Sequence, residues 1–550
     1  MHNWQILNNY KYDPQKKDSL SNLILNLLKN RGIKSRKETA SFLNPSLASI
    51  TLDSLGININ SVKKAALRIR NAVKNKEKIT IYTDYDADGI LSGAILWETL
   101  YSLNANCLPF VPNRLTEGYG LSKSGIDKVK SEQNPDLIIT VDHGLSKFAE
   151  VEYAKKMGIE VIIIDHHLPA KILPKAVSII HTTILCATGL TWVFANFLKG
   201  QMQQDFLDLV ALATVADMMP LTGANRALVK YGLEQINKTS RLGLKVLINN
   251  SGLKKGEIDS YSLSHVLAPR LNASGRLTNA LDSLRLICTK DRVRAHSLAE
   301  QLNSVNRNRQ NLTRESFEIA VSQVSPAAKF IIAGHESFHQ GVIGLIAGKL
   351  AETYHRPAIV ISIGQEICKA SARSVKGINI VEFLHSASEL LIDVGGHPMA
   401  AGFTVNKKNL QKLKQKLLSN ADKLIGSIPH VPVSLADLEL DPALVDDKLF
   451  AEISALAPFG QANPKPAFAA FALKVRQARV LGRDKNHLKL ELSSKNNPEK
   501  IISAIAFNFG NLFSSLGFDS SLDMIYEIDK DNWNGQSGLI LKLRDVRLAA

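Results

Sequence analysis

Cysteine is scarce. The 550 residues hold four: Cys107, Cys186, Cys288 and Cys368, far apart and with no CxxC pair. That argues against a disulfide framework or a zinc knuckle and fits a reducing cytoplasm. No apolar run is long enough to span a bilayer. The first residues, "MHNWQILNNYKYDP", lack the apolar stretch of a signal peptide. No internal repeat and no long low-complexity tract is visible. Acidic side chains are the minority, 51 Asp and Glu against 67 Lys and Arg, for a net charge of +16. A surplus of that size favours a polyanionic partner, most simply nucleic acid.

What is present is a globular balance, 45% hydrophobic and 21% charged, at a length that predicts several domains. To about Asn75 the chain is polar and helix-like, with "SNLILNLLKNRG" an amphipathic segment ended by Gly32. The runs "KITIYTD", "DLIITVDHG", "EVIIIDHH" and "LDLVALATVADMMP" then read as buried parallel strands, the last able to begin as a helix. Helical patterns lie between them, as in an open α/β sheet. From Cys288 to Val324 the spacing predicts one long helix without Pro or Gly. A second α/β segment runs from about Lys329. Beyond "IPHVPVS", short alternating segments predict a small β-barrel.

Ligands of open parallel sheets bind at the carboxyl ends of the strands. There the sequence collects acids and imidazoles: Asp84, Asp86 and Asp88 in "DYDADG", Asp142 and His143, Asp165 with His166 and His167, and Asp217. So many carboxylates cannot all stay ionised together without cations. A pair of divalent ions resolves this. Oxygen ligands with one or two imidazoles suit Mn²⁺, with Mg²⁺ the alternative. "DYDADG" alone also suits a calcium loop, but the later bidentate Glu is missing. A single Asp at a strand end is ordinarily a helix N-cap.

"DYDADG", "VDHG", "DHH" and "ATVADMMPL" resemble motifs I to IV of the DHH phosphoesterase superfamily. "GGHPMAAGFT" resembles the glycine-rich signature of its DHHA1 partner domain. "PRLNASGR", "FHQGVIGLIAGKL", "SARS", "PFGQANPKPAF" and "NWNG" resemble the bacterial RecJ branch. The resemblance implies a DHH parallel-sheet domain (76–287) after a helical segment (1–75). A connecting helix (288–328), a DHHA1 α/β domain (329–428) and an OB-like barrel (429–550) would follow. It implies a single-strand-specific 5′→3′ exodeoxyribonuclease of recombination and repair, releasing mononucleotides by two-metal hydrolysis.

Carried residue by residue, Asp86 and Asp88 match the ligand pair of motif I, with Asp84 near a third ligand position. Asp142 would bridge the ions; His166 and Asp217 would each hold one. His167 would act beside the scissile phosphate, with Asp165 orienting an imidazole and His143 also at the reaction centre. Arg114, Tyr119, Arg270, Asn272, Arg276, Ser371, Arg373, Gly396 and His397 are the expected substrate contacts. Ser371 and Arg373 would form a pocket for a 5′-phosphate. A single-strand-binding protein and a RecQ-type helicase are the implied protein partners of a monomer. Lys474, Arg476, Arg483 and Lys485 suit a phosphate track in the tail. Phe507, Phe509 and Trp533 could be stacking platforms, with the barrel core the expected role, and His265 and His487 are expected in structural or surface roles.

Two other classes compete. One is a DHH hydrolase of oligoribonucleotides or cyclic dinucleotides, which usually lacks the β-rich tail. The other is a catalytically silent Cdc45-like scaffold, which has lost several of the carboxylates kept here. The chain also departs from the RecJ pattern. After "DHH" it reads "SIIHTTILCATGLTWVFA", with His181 near an expected Asn and a shortened loop. Phe338 stands where a tryptophan is usual.

Overall fold

The structure is a computed structural model, and it describes residues 3–16, 18–114, 116–118, 120–169, 171–201, 203–325, 328–425, 433–517, 520–531 and 538–549. The expected contact Tyr119 and the tail's Trp533 lie outside them.

The chain opens with a short strand, β1 (Asn3–Ile6), and two helices, Ser19–Asn30 and Arg36–Leu43. A five-stranded parallel sheet follows: β2 (Lys78–Thr83), β3 (Asn106–Phe110), β4 (Leu137–Val141), β5 (Glu160–Asp165) and β6 (Ser178–His181). Its order is β3-β2-β4-β5-β6. Both faces are covered, which is why these strands read as unbroken apolar runs. Ile79, Ile81, Ile139, Ile162 and Ile164 point into one core. Tyr82, Ile138, Val161 and Ile163 point into the other. The strand order reverses between β2 and β4, so the carboxyl ends of β2, β4 and β5 line one crevice.

The helix Arg292–Ser322 spans 31 residues. Its first half packs Leu298 and Leu302 on the parallel-sheet core, and Ala320 near its end joins the core of the next domain. That domain is a second five-stranded sheet: β7 (Ile331–His335), β8 (Ala358–Ser362), β9 (Ile367–Arg373), β10 (Leu391–His397) and β11 (Ala400–Asn406). Only β7 and β8 run parallel; the other pairings are antiparallel.

The C-terminal part holds β12 (Val433–Ala436), β13 (Leu438–Glu439), β14 (Phe468–Leu481), β15 (His487–Ser494), β16 (Asn497–Ala506), β17 (Ser521–Asp531) and β18 (Gly538–Leu548). The order β14-β15-β16-β18-β17 closes through a β14–β17 pairing, giving the expected barrel. Strand β16 is an addition to the sequence reading, because "NPEKIISAIA" opens with Pro and charge and alternates only in its second half.

The structure corrects three sequence readings. "LDLVALATVA" is a helix, Leu207–Ala216, not a strand; it is buried on nearly every side, so no periodicity betrays it. The glycine in "PRLNASGR" suggests a turn from sequence, but the segment lies on the helix Ala268–Leu277. The N-terminal segment has no core of its own. β1 pairs in parallel with β12, and Leu23, Leu27 and Leu28 complete the barrel core. Its last helix, Ile59–Lys74, instead belongs to the parallel-sheet domain. Buried Arg226 fastens these parts by donating to the carbonyls of Phe42, Leu456 and Ala457.

Candidate metal centre and substrate cleft

The site starts at the end of β2. Asp86 caps the helix Ala87–Ser102, its Oδ1 accepting the Gly89 N–H at 3.1 Å. Capping therefore does not keep Asp86 out of a group of possible ligands, with Asp84 and Asp142. A Cβ on Gly89 would lie 2.7 Å from the Asp84 backbone, so only glycine lets the first turn fold against Asp84. Asn272 accepts the Ala87 N–H at 2.6 Å and holds the same turn from the opposite side. Gly275 presses on this loop too; a Cβ there would sit 2.3 Å from the Tyr85 carbonyl.

Asp88 is fixed by the start of the helix Ala187–Lys199. Its two oxygens accept the N–H groups of Ala187 and Thr188 at 2.7 and 2.8 Å. Asp142 follows β4 in a left-handed conformation, φ 70°, and is only 3% exposed. His166 Nε2 stands among three acids, 3.2 Å from Asp142 and 3.7 Å from both Asp88 and Asp217. Asp217 is the C-cap of the helix Leu207–Ala216.

Three sets of donor atoms, each within 4.8 Å, result: Asp84 with Asp86 and Asp142; Asp88 with His166 and Asp217; and Asp142 with His166 and His167. Asp142 is common to two of them. Burial, joined by the neighbouring carboxylates, pushes the Asp142 carboxyl well above its ordinary range, and the same causes raise Asp84 and Asp86. Asp217 is pushed up to about 8, by burial first and then by Asp88 and Asp86. Asp84 Oδ1 is buried without a hydrogen-bond partner among the described residues. This donor set is all oxygen and imidazole, is short of positive charge, and fits Mn²⁺ or Mg²⁺.

Asp165 and His167 form the adjoining pair. His167 Nδ1 donates to Asp165 Oδ1 at 2.7 Å, and the backbone N–H of Leu145 donates to Oδ2. Burial disfavours the imidazolium, but the hydrogen bond and charge of Asp165 outweigh it and raise His167 to about 9. Burial likewise opposes the carboxylate, and His167 with the backbone donors brings Asp165 down to about 2. The His181 ring donates from Nε2 to the His167 carbonyl at 2.9 Å. His143 is not part of this surface. Its ring is buried edge-on against Tyr82 and belongs to none of the three donor sets. Burial lowers it to about 4.

The second sheet faces these groups. His397, at the end of β10, lies 6.5 Å from His167 with the rings 10° from parallel. The β10–β11 hairpin needs Gly396, at φ 145°, where a Cβ would meet the Ala400 carbonyl at 2.3 Å. Arg373 donates to Ser371 Oγ at 3.1 Å, and both side chains abut Gly344 in the first turn of the helix Ile343–Tyr354. Burial and the nearby Arg114 and Arg309 lower Arg276 to about 10, with Arg373 adding to the effect. Burial first, then Arg114, lowers both Arg373 and His339. Arg114, Arg276 and Arg373 thus share one cationic neighbourhood, with His339 beside Arg114 and held toward its neutral form. Arg270 does not join them in any direct contact; it donates to Asn303 and the Val266 carbonyl.

A groove of about 1650 Å³ separates the parallel-sheet domain from the barrel. Met218, Tyr261 and His265 line one wall, and Arg479, His487, Lys489 and Phe507 the other. Tyr261 and His265 stack at 4.2 Å. Phe507, expected in the core, is 47% exposed and edge-on to His487, whereas Phe509 packs on the barrel core. Tyr261 escaped the sequence reading as an ordinary residue in a stretch whose pattern signals only packing, while Met218 and His339 lie inside "ATVADMMPL" and "FHQGVIGLIAGKL" but were given no role of their own there. His265 and His487 carry no pattern that would place them in a groove.

A doubly covered parallel sheet with aspartates and a DHH triplet at its crevice, opposed by a second α/β domain, defines a phosphoesterase of the DHH class. Residues 78–214 match the DHH family, N-terminal domain, residues 320–423 the DHHA1 domain, and residues 436–545 the RecJ OB domain. The chain is 33% identical over 541 residues to the single-stranded-DNA-specific exonuclease RecJ of Bacillus subtilis (strain 168), covering 96% of this chain and 68% of that one. It superposes on RecJ in complex with Mn²⁺ from Thermus thermophilus with TM-score 0.83 at 28% identity, covering 99% of this chain and 79% of that one. The Mg²⁺ complex from the same organism gives 0.77 at 27%, covering 99% and 78%. The chain belongs to the RecJ family.

Proposed function

We propose that the protein is a metal-dependent exonuclease specific for single-stranded DNA, taking nucleotides from the 5′ end. The observation that carries the reading is Asp142, one buried carboxylate at a strand-end crevice that groups with Asp84 and Asp86 and also lies 3.2 Å from His166 of the Asp88–Asp217 group. Asp84, Asp86, Asp88, Asp142, His166 and Asp217 would hold two Mn²⁺ or Mg²⁺ ions. Bound there, such ions supply an activated water and offset the charge of the phosphodiester. Asp165 fixes the His167 ring through Nδ1 and keeps it cationic, so its other nitrogen can donate a proton to the scissile phosphate or the leaving oxygen. His143 supports the end of β4 from inside the fold.

Ser371, Arg373, Arg276 and Arg114, at the start of a helix, suit the dianion of a terminal phosphate. Gly396 and His397 close the cleft over the scissile phosphate beside His167. Asn272 acts by holding the metal loop, and Arg270 by tying its helix to the long connecting helix. The rest of the strand would leave along the groove, where exposed aromatic rings alternate with Arg479 and Lys489, a surface suited to unpaired bases. Among the described residues no helix is long and apolar enough to cross a membrane. By family likeness the protein works as a cytoplasmic monomer in recombination and repair, with a single-strand-binding protein and a RecQ-type helicase.

The test is manganese-dependent digestion of end-labelled single-stranded DNA, single-stranded RNA and duplex DNA, with 5′ or 3′ ends blocked. Stepwise release of mononucleotides from an open 5′ end of the DNA strand alone is expected. Release from a blocked 5′ end, or preference for RNA, overturns the reading.

A further inference from the structure

Met218 costs the fold twice. It follows the C-cap Asp217 at the end of the helix Leu207–Ala216, where the chain turns with φ 55°. The Met219 N–H donates back to the Thr214 carbonyl at 3.1 Å, and the Met218 N–H to that of Val215 at 3.2 Å. That is the helix ending in which glycine is the usual residue, because a side chain in the left-handed region is strained. Met218 also leaves 70% of its surface exposed, on the wall of the interdomain groove. Glycine would remove both costs, so the thioether side chain is not there for the fold.

Position says what it meets. Met218 adjoins Asp217, whose carboxylate shares a donor set with Asp88 and His166. A strand whose phosphodiester is held at that centre would reach the groove wall at Met218, the chain neighbour of Asp217. The groove then runs past the stacked Tyr261 and His265 toward Phe507 on the barrel. The terminal-phosphate pocket lies elsewhere, on the second sheet. We infer that Met218 is a substrate-binding residue, packing against the nucleobase on the groove side of the scissile phosphate. A flexible, polarisable thioether fits a surface that must accept all four bases. The inference rests on the exonuclease reading above and deepens it.

The test compares wild type with Met218→Gly and Met218→Leu on a single-stranded oligonucleotide and on the same strand made abasic at the nucleotide following the scissile phosphate. Thermal melting and Mn²⁺ stoichiometry are followed in parallel. Met218→Gly should melt at or above the wild-type temperature and bind Mn²⁺ equally. It should raise KM on the intact strand roughly tenfold, at the modest end of what a lost base contact costs. On the abasic strand wild type and the Gly variant should be equal. Met218→Leu keeps apolar volume and should stay within about threefold of wild type. An unchanged KM for the Gly variant, an equal penalty on the abasic strand, or no recovery with Leu overturns the inference. If wild type itself fails to hydrolyse the strand, it is the exonuclease reading that falls.

Discussion

His397 of β10 and His167 after β5 lie with their rings nearly parallel, 6.5 Å apart, although they belong to different sheets of different domains. On the proposed function, the pair would mark the place where the cleft closes on the reacting phosphate. Gly396 makes the approach possible, because any side chain there would strike the Ala400 carbonyl. His397→Ala should lower kcat about tenfold, the usual scale for losing a group that orients a reacting residue. Mn²⁺ stoichiometry should not change. A variant that loses metal instead would place His397 among the ligands, and one with full kcat would remove it from the reaction.

Asp142→Ala should abolish hydrolysis and reduce bound Mn²⁺. The carboxylate is common to two donor sets, so its loss uncouples them. Activity should fall below about one percent, as expected when several kcal/mol of metal assistance are lost. Residual activity above that line, with two ions still bound by calorimetry, would contradict a bridging role.

The parallel sheet, the long helix and the barrel were legible because period and length settle them. β2, β4 and β5 are too short and too apolar to be anything else when charged residues follow at once. The clustering of these acids with His166 was legible for the same reason: acids directly after buried strands have few structural uses. Asp217 was found although its segment was misread, since "ATVAD" is buried as a helix as thoroughly as a strand would be. Three-dimensional relations were not legible. Nothing in "PRLNASGR" says that Asn272 will accept the Ala87 N–H rather than contact a phosphate. Nothing near Leu23 says that it will complete a barrel built more than 400 residues later. For that reason deleting the tail is a poor test of its DNA contacts, because it would strip the partners of Leu23, Leu27 and Leu28. Charge reversal at Arg479 and Lys489 probes the groove without exposing that core.

The Asp165–His167 pair sets a pH dependence with a definite sign. His167 is raised from 6.5 to about 9, so its contribution to stability is whole below 6.5 and fades as pH rises through about 9. Asp165 is lowered from 3.8 to about 2, so its contribution is whole above 3.8 and fades as pH falls through about 2. One interaction underlies both. If His167 donates the proton, kcat should fall on the alkaline side as the ring loses its proton. Asp165→Asn removes the charge that holds the imidazolium, and the alkaline limb should move toward the ordinary histidine range by about one unit or more. Bound metal ions offset Asp217 and Asp84, which also raise His167, but leave the Asp165 bond in place. A limb that stays put in the Asn variant would mean that another group titrates.

Polarity should reside in Arg373. Its guanidinium donates to Ser371 Oγ and sits against Gly344 at the start of a helix, with Arg114 close by. The metal ligands belong to the other domain. A strand held across the cleft would then have its terminus read by one domain while its first phosphodiester is placed by the other. A forked cation beside helix N–H groups recognises a phosphate dianion far better than a sugar hydroxyl. Arg373→Ala should then reduce the preference for a 5′-phosphate over a 5′-hydroxyl by about tenfold or more, the scale of a lost charged hydrogen bond. Mn²⁺ binding should be untouched, because Arg373 adjoins Ser371 and Gly344 rather than any member of the three donor sets. The measurement is kcat/KM for wild type and variant on one oligonucleotide carrying each 5′ end. Equal discrimination by both enzymes would pass the role to Arg276 or Arg114, whose guanidiniums share the pocket.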